Sequence, residues 1–398
     1  MRTLEQAGQI PAEPQQVLGP PKEVSIRGMR IVTCAFDGSG YGQGARNWVK
    51  GMANAKVPMW IHPVSFEKDR PELGPDFDLF DALCRNPVQF DVNFVRLSPE
   101  VGVDFLEPSC INILSCAWET SKLDPLWVDC CNKFDAVFVE SNWSIEVFRN
   151  SGVKVPLHLV PNCVDTSRFK VKNRFNTDTY RFYSIQQWTE RKNGIGLLKS
   201  YFNAFSPSDD VVLVLKTYIT RMEEQGNQRE IIKEHISNLK KSLNLSRGYP
   251  PVYLITDKLT NSAIQKLHED CDCYVLLDRG EGLGLPYMDA AAAGNPIIAT
   301  DFGGSRQFLS EQNSYPVKYQ LTFVDNMGWN RFYHGDQFWA EPNLLHGAEL
   351  MKHVYDNREE AFVLGKKARK DMEDLYNSEK ITQVLLSNIA DVVAAKRK

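Results

Sequence analysis

Short apolar segments alternate with amphipathic stretches along most of the chain, and this alternation forms two blocks. The first block contains the segments MRIVTCAF, FDVNFVRLS, CINILSCAWET, DAVFVES and LHLVPN, and the second contains RFYSIQQ, VVLVLKT, VYLITD, CYVLLD and PIIATD. Because strands that alternate with helices form parallel sheets covered by helices on both faces, the pattern predicts an α/β protein. The blocks meet near residue 170, so we expect two Rossmann-like domains whose parallel sheets face a cleft.

The composition and net charge of the chain indicate which classes of binding partner are favoured. The 398 residues are 43% hydrophobic, enough for large cores, and carry a net charge of -4 with a pI near 6.0. This charge gives no general attraction to anionic lipid or nucleic acid, so nucleic acid is disfavoured as a partner although it stays open. The nine cysteines and seven histidines show no metal-binding spacing, and no apolar run reaches the ~18 residues of a transmembrane helix. We expect a cytoplasmic protein with reduced thiols, no metal and no transmembrane segment.

The most informative segment is DRGEGLGLPYMDAAAAGNPIIATDFGG, residues 278–304. After Glu281 it has a turn of glycine and leucine, formed by Gly282, Leu283, Gly284 and Leu285. A helix of small residues follows, with Asp289 predicted in its first turn, so backbone N–H groups and the helix dipole together predict an anion site. Carboxylates beside an anion site must accept hydrogen bonds, and hydroxyls are the obvious donors. A nucleotide sugar, with its diphosphate flanked by sugar hydroxyls, fits both requirements.

The segment resembles the signature of retaining glycosyltransferases with the GT-B fold, in the large family-four group, where seven residues separate two Glu residues. The resemblance implies that Glu281 is catalytic and holds hydroxyls of the transferred sugar, while the turn contacts the diphosphate and sugar. Asp289 replaces the second Glu, which meets the nucleotide ribose. Because Asp is one methylene shorter, a water bridge to the ribose is the alternative to direct contact. A plain Rossmann-like turn would explain the apolar runs but not the two acids.

Other segments extend the resemblance over most of the chain. VPNCVDTSRF, residues 160–169, resembles the interdomain hinge, and QQWTERKNGIGLLKSYFNAF resembles the start of the second domain, where a Lys reaches the donor phosphates. Here that residue is Lys192, preceded by Arg191, and both are predicted to bind the donor. Gln186 stands where many relatives carry an Arg. The last strand residues of VVLVLKT are also expected to face the donor, namely Lys216 and Thr217.

The resemblance also suggests domain boundaries. Residues 1–24 are rich in Pro and Gln without an apolar period, which predicts a flexible arm. An acceptor domain is expected over residues 25–170 and a nucleotide-sugar domain over residues 171–378. The last helix, residues 379–398, is expected to cross back onto the first domain.

Two features of the first half are candidates for the acceptor side of the cleft. GSGYGQGA, residues 38–45, fits the dinucleotide fingerprint, but the next strand, VPMWIHP, lacks the acid that this fingerprint requires. We therefore expect the glycine loop Gly40, Tyr41 and Gly42 to approach the donor diphosphate or the acceptor, with NAD binding and a bare turn as alternatives. Glu119 follows a predicted strand and is expected to take or orient the acceptor proton, or else to pair with a cation or cap a helix.

The resemblance implies retention of configuration and donor binding without a metal. Together with it, these features predict an enzyme that moves a hexosyl unit from a nucleoside-diphosphate sugar, UDP-sugar before GDP-sugar, to a hydroxyl-bearing acceptor. Backbone N–H groups and Lys192 are expected to stabilise the charge on the leaving phosphate. The resemblance implies attack on the same face of the sugar, with the departing phosphate helping to deprotonate the acceptor. A transferase for a modified base in DNA, a nucleotide-sugar epimerase and a noncatalytic sugar-nucleotide-binding module are the alternatives. Glycan, lipid-carrier and small-molecule acceptors all stay open.

Overall fold

The computed structural model describes residues 25–66, 76–219 and 227–397. These residues form two compact units: a first unit of residues 25–165 with 374–397, and a second unit, Thr166–Glu373. The arm predicted over residues 1–24 lies outside the described residues. The domain boundaries predicted from the sequence stay predictions.

The first unit is built on a six-stranded parallel sheet with the strand order β2-β1-β3-β4-β5-β6. Its strands are β1 (Met29–Thr33), β2 (Met59–Pro63), β3 (Val92–Arg96), β4 (Ile111–Ser115), β5 (Ala136–Val139) and β6 (Leu157–Leu159). Between them lie α1 (Gly40–Asn54), α2 (Asp76–Arg85), α3 (Pro99–Gly102), α4 (Pro125–Cys131) and α5 (Asn142–Ser151). Every residue of β1, β3 and β5 is buried, because helices cover both faces of a parallel sheet.

The second unit repeats this plan with the strand order β12-β11-β10-β7-β8-β9, again parallel. Its strands are β7 (Tyr180–Gln187), β8 (Val211–Tyr218), β9 (Val252–Ile255), β10 (Cys273–Leu276), β11 (Ile297–Thr300) and β12 (Tyr315–Val317). An antiparallel hairpin of β13 (Tyr319–Phe323) and β14 (Phe338–Pro342) follows them. The helices are α6 (Gly194–Ala204), α7 (Gln228–Leu243), α8 (Asn261–Asp270), α9 (Leu285–Ala292), α10 (Leu344–Asp356) and α11 (Arg358–Leu375). The α/β class is confirmed.

The last helix, α12 (Ser378–Lys396), belongs to the first unit and packs on α1. Gly51 of α1 permits this close approach, because a Cβ atom there would lie 2.0 Å from Oγ1 of Thr382. Lys396 fixes the end of the helix, since its Nζ lies 2.6 Å from a carboxylate oxygen of Asp135. The buried face of this helix, which includes Ile381, Leu385 and Ile389, is part of the core of the first unit.

Two further expectations concern thiols and membranes. All nine cysteines fall within the described ranges as free thiols, and seven of them are buried, as expected for core positions. None of the helices in the described ranges is both long enough and apolar enough to span a membrane.

Candidate active site

The segment predicted to bind the donor forms the connection from β10 to α9 in the second unit. Gly284 precedes the helix with a φ of +90°, a left-handed conformation that residues with a Cβ atom rarely adopt. A Cβ atom there would also lie 2.5 Å from Cδ2 of Tyr287. Pro286 in the first turn favours a helix start, because the N–H that proline lacks has no helical partner at this position. The glycine thus fixes where the strand connection becomes a helix.

Asp289 lies deeper in α9 than the sequence suggested. Because the helix begins at Leu285, directly after the left-handed Gly284, Asp289 is its fifth residue, and the prediction of a first-turn position is wrong. The side chain of Asp289 is buried, as are Gly282 and Leu283, whereas Leu285 is half-buried. A contact of Asp289 with a nucleotide ribose stays a prediction.

A second glycine pair supports the Glu281 loop from the connection after β11. The N–H of Gly304 donates a hydrogen bond of 2.7 Å to the carbonyl oxygen of Glu281. A Cβ atom on Gly304 would lie 1.7 Å from the carbonyl oxygen of Gly282, which no side chain can do. Gly303 has a φ of +79° and also approaches Glu281 closely. The two connections can therefore meet only with glycine at residue 304.

Glu281 is the centre of a buried charge cluster. Its carboxylate is 6% exposed, forms an ion pair with Lys192, and lies 3.6 Å from Nη1 of Arg191. Burial alone would raise the pKa of Glu281, but the positive charges of Lys192 and Arg191 outweigh it and hold the pKa below its usual range. Three residues predicted to bind the donor thus contact one another, with Glu281 ionised between two cations.

The connection from β7 to α6 supplies both cations. Asn193 has a left-handed conformation, accepts a hydrogen bond from the N–H of Gly196, and so caps α6. Its Nδ2 also donates to the carbonyl oxygen of Leu277 at 2.9 Å, which joins this connection to the end of β10. Nη1 of Arg191 donates to the carbonyl oxygen of Gly280 at 2.7 Å. Backbone contacts therefore fix the cations beside the Glu281 loop.

Asp278 is a feature of this site that the sequence analysis did not select. Its side chain is 1% exposed, its Oδ2 accepts a hydrogen bond from the hydroxyl of Tyr287, and its Oδ1 has no partner among the described residues. Burial and then the negative charge of Glu281 raise the pKa of Asp278 to about 7. Its place directly after a buried strand was the available signal, because parallel sheets bind ligands at that end.

Lys216 and Thr217 lie near the end of β8, directly before its last residue, Tyr218, and β8 is two strands away from β10. Consecutive strand residues point to opposite faces of a sheet, and here Lys216 pairs with Ile185 while Thr217 pairs with Gln186. Burial lowers the pKa of Lys216. Oγ1 of Thr217 and both amide atoms of Gln186 are buried without a hydrogen-bond partner within the described residues. Lys216 and Thr217 therefore do not share a face, and their donor-binding role stays a prediction.

In the first unit, the predicted glycine loop is the beginning of a helix. α1 starts at Gly40, so Tyr41 and Gly42 are helical, and the hydroxyl of Ser39 caps the helix by accepting from the N–H of Gly42 at 3.2 Å. Gly42 is needed for packing, because a Cβ atom there would lie 2.4 Å from the carbonyl oxygen of Asp37. Gly40 is exposed. Capping and close packing thus outweigh the poor helix propensity of glycine.

Tyr41 connects the start of α1 to the segment that carries Glu119. The backbone N–H of Ala117 donates to the hydroxyl of Tyr41 at 3.1 Å. Glu119, two residues further along, is half-buried. The structure therefore places two of the residues predicted for the acceptor side near each other. Their roles toward an acceptor stay predictions.

A buried ion pair lies beneath α1 and was missed in the sequence. Arg96 ends β3 and Glu140 follows β5, and their side chains meet at 2.6 Å with 5% and 6% exposure. Arg96 also donates to the hydroxyl of Ser115 at 3.0 Å. Gly44 leaves the room for this pair, since a Cβ atom there would lie 2.4 Å from Nη2 of Arg96. The four residues come from separate elements, so no local pattern marks them as a cluster.

Within residues 25–66, 76–219 and 227–397, no group of three or more His, Cys, Asp or Glu side chains is arranged to hold a metal ion. The positive charges identified beside Glu281 belong to side chains, namely Lys192 and Arg191.

Comparisons with known proteins agree with this geometry. Residues 165–318 match the family model described as glycosyl transferases group 1. Sucrose-phosphate synthase from Thermosynechococcus elongatus is 17% identical, with 93% of this chain and 100% of that chain covered and a TM-score of 0.65. HepE from Anabaena, solved with UDP and glucose, is 12% identical, with 93% and 100% covered and a TM-score of 0.62. TarM from S. aureus, solved in a complex that includes UDP, is 16% identical, with 75% and 55% covered and a TM-score of 0.54.

No curated protein sequence matches the chain significantly. The family match includes Lys192, Glu281 and Asp289, and it confirms the resemblance to glycosyl transferases group 1. The solved structures confirm the GT-B fold class. The match supports glycosyl transfer as the general activity.

Proposed function

We propose that the protein is a retaining glycosyltransferase that moves a hexosyl unit from a nucleoside-diphosphate sugar to a hydroxyl-bearing acceptor. The observation that carries the proposal is the buried Glu281 carboxylate, which is paired with Lys192 and Arg191 and lies three residues before Gly284, the glycine that precedes α9. A carboxylate can accept hydrogen bonds from sugar hydroxyls, and the adjacent cations can bind phosphate. Retention of configuration rests on the family resemblance.

Donor binding must break or rearrange the ion pairs of Glu281 with Lys192 and Arg191. Without donor, the charge of Glu281 is balanced by Lys192, so a diphosphate has to compete with this carboxylate for the cation. When Lys192 turns to the phosphate, Glu281 becomes available to the sugar hydroxyls. As the bond between the anomeric carbon and the diphosphate breaks, negative charge grows on the leaving phosphate, and Lys192 and Arg191 stabilise it. This electrostatic role does not require a metal ion, so we propose metal-independent transfer.

UDP-sugar is the favoured donor and GDP-sugar the next. Two of the structural relatives were solved with UDP, which supports this order. The decisive measurement is calorimetry of UDP and GDP binding to the full chain in excess chelator. Tighter binding of UDP is expected, and it should stabilise the fold by mass action. If neither nucleotide binds with or without divalent metal, the donor-site assignment is wrong.

Glu281→Gln tests the proposed catalytic role, because it keeps the shape of the side chain and removes its charge. We expect transfer to fall severely because the charged partner of the sugar hydroxyls is lost, while UDP affinity should not fall, since the diphosphate no longer competes with a carboxylate for Lys192. Asp289→Ala should instead weaken UDP affinity. Glu234→Gln, at an exposed position of α7, is the matched control and should change neither. Reversed effects at Glu281 and Asp289 would show that their roles are exchanged.

The stereochemical proposal needs its own experiment. With an active donor and acceptor pair, proton NMR of the first product should show the same anomeric configuration as in the donor sugar. An inverted product would refute the retaining mechanism without touching the assignment as a glycosyltransferase. Donor binding without any turnover, over a panel of hydroxyl acceptors and water, would favour a noncatalytic binding module.

The cellular setting is also part of the proposal. Seven of the nine cysteines are buried free thiols, and burial raises the pKa of Cys163 to about 12, which keeps it a neutral core side chain. A protein with this many unpaired thiols fits a reducing compartment, so we propose the cytoplasm. Cell fractionation with thiol labelling would test it. Finding the protein oxidised and secreted would overturn this assignment.

A further inference from the structure

The hairpin of β13 and β14 begins at residue 319, directly after the segment that matches the family model. It is not a detached extension. The backbone N–H of Ala340 in β14 donates a hydrogen bond of 2.9 Å to the carbonyl oxygen of Arg279, two residues before Glu281. The fully buried Trp339 packs with Val324 and Met327 in a small core of the hairpin. The hairpin is therefore a packed element bonded to the Glu281 loop.

Arg279 makes contacts in two directions from the same position. Its Nε donates to a carboxylate oxygen of Glu341 in β14 at 2.6 Å, and its guanidinium lies 5.4 Å from the ring centre of Trp339. Its Nη1 donates to the carbonyl oxygen of Glu190 at 2.6 Å. Its backbone N–H donates to the carbonyl oxygen of Arg191 at 2.7 Å. Arg279 thus joins the hairpin to the β7–α6 connection, which carries the two cations proposed to bind phosphate, Arg191 and Lys192.

The geometry around Glu281 depends on this junction. Arg191 bonds to the backbone of Arg279 and, through its own side chain, to Gly280, so the two connections are linked twice within three residues. The side chain of Arg279 is 19% exposed and that of Glu341 is 40% exposed, so the arginine side of this ion pair is largely shielded from water. A planar guanidinium can bind the Glu190 carbonyl and the Glu341 carboxylate together, whereas the single ammonium group of Lys cannot hold this fork.

We propose that Arg279 is a positioning residue of the donor site, and that the β13–β14 hairpin, through Glu341, holds it in place. In this arrangement the Arg279 side chain contacts neither the donor sugar nor the diphosphate. It fixes the distance between Glu281 and the two cations, Lys192 and Arg191. The hairpin is then a functional part of the site although it lies beyond the family match. This inference rests on the proposed function.

Two variants test the inference in the full-length chain. Arg279→Gln removes the guanidinium that contacts Glu341, Glu190 and Trp339, and Glu341→Gln removes the charge of the hairpin partner alone. The matched control is Glu373→Gln, because Glu373 accepts from Nε of Arg369 at 2.8 Å and has the same 40% side-chain exposure as Glu341. We expect Arg279→Gln to weaken UDP affinity roughly 10-fold through misplacement of the cations, Glu341→Gln to weaken it less, and Glu373→Gln to leave it unchanged. Arg279→Lys should restore only part of the loss.

Hydrogen exchange gives a readout that does not depend on UDP. In Arg279→Gln, peptides covering residues 277–285 and 338–342 should exchange roughly 10-fold faster, while the core peptide 211–218 should not change. Unchanged exchange in both segments, or equal effects of Glu341→Gln and Glu373→Gln, would overturn the inference. If the wild type binds neither UDP nor GDP, the proposed function fails, while the exchange data still decide whether Arg279 fixes the two connections. If the wild type binds UDP and Arg279→Gln binds it equally well, only this inference fails.

Discussion

Replacing Asp278 by Asn tests the protonation of the buried carboxyl beside Glu281. In the fold, burial and the charge of Glu281 raise the pKa of Asp278 to about 7, whereas an unfolded chain ionises Asp near a pKa of about 4. Between these pH values the folded protein holds a proton that the unfolded chain has lost. The free energy of unfolding therefore falls as the pH rises from about 4, and the contribution is lost once the pH has passed about 7. Ionisation therefore costs the fold roughly 4 kcal/mol, since one pKa unit corresponds to about 1.4 kcal/mol.

Asn has nearly the shape of Asp and can still accept the hydrogen bond from the Tyr287 hydroxyl, but it cannot ionise. Relative to the wild type, Asp278→Asn should gain stability as the pH rises from about 4 to about 8. For a unit of about 200 residues the gain corresponds to a difference in Tm of roughly 10 °C. Thermal unfolding of both full-length proteins, measured by calorimetry across this pH range, gives the difference directly.

Asp270→Asn is the matched control for this experiment. Its carboxylate is exposed at the end of α8, where it pairs with Lys266 at 2.9 Å. The same substitution there should not produce the gain in stability with rising pH that is expected for Asp278→Asn. A constant difference for Asp278→Asn as well would refute the buried, protonated carboxyl. If Asp278→Asn instead lost stability relative to the wild type as the pH rises, Asp278 would be ionised in the fold.

A Glu281→Gln background separates the two causes of the shift. Without the negative charge of Glu281, burial still raises the pKa of Asp278 while Lys192 and Arg191 lower it, so the same pH dependence should appear at lower pH. If the pH at the midpoint of this stability change were the same in both backgrounds, the charge of Glu281 would not contribute to the raised pKa of Asp278.

Three further predictions follow from the two units. Gly304→Ala should weaken UDP affinity at least roughly 10-fold in calorimetry, because its Cβ atom would lie 1.7 Å from a backbone oxygen of the Glu281 loop. Gly328→Ala is the control and should leave UDP affinity unchanged, because no described atom lies within 4 Å of its Cβ atom. Glu119→Gln should depress transfer more than donor hydrolysis, both followed by released nucleoside diphosphate, and equal losses would contradict a role on the acceptor side. Glu140→Gln leaves Arg96 buried without its counter-charge and should cost about 3 kcal/mol or more in urea unfolding, whereas a cost within error would refute this interpretation.

The sequence predicted the fold class well because that class depends on local patterns. The alternation of apolar strands and helices required parallel sheets, and the glycine and carboxylate spacing in residues 278–304 marked the β10–α9 connection in the sequence itself. Gly284 illustrates why this worked: a left-handed conformation at a strand-to-helix turn leaves a signature in a single residue.

The errors arose where packing outweighs the local pattern. The glycines at the start of α1 were predicted as a loop, but Gly42 and Gly44 are needed because other chain segments approach them within van der Waals distance. The partners of Gly44 are Arg96 and Asn162, which are remote in sequence, so the pattern near residue 44 contains no trace of them. Lys216 and Thr217 were expected to face the donor; they are neighbours in β8 and point to opposite faces of the sheet, and the donor-binding role of each stays a prediction.

The roles of the two carboxyls in the donor loop follow from the positions of the cations. Asp278 and Glu281 are equally buried by the fold, yet their pKa values move in opposite directions. Lys192 and Arg191 approach Glu281, so Glu281 bears the negative charge, whereas Asp278 keeps its proton below a pH of about 7. An ionised carboxylate can only accept hydrogen bonds, which suits sugar hydroxyls, whereas a protonated one can also donate. The contacts that fix the cations, including those of Arg279, therefore decide which acid in the loop can hold the donor sugar.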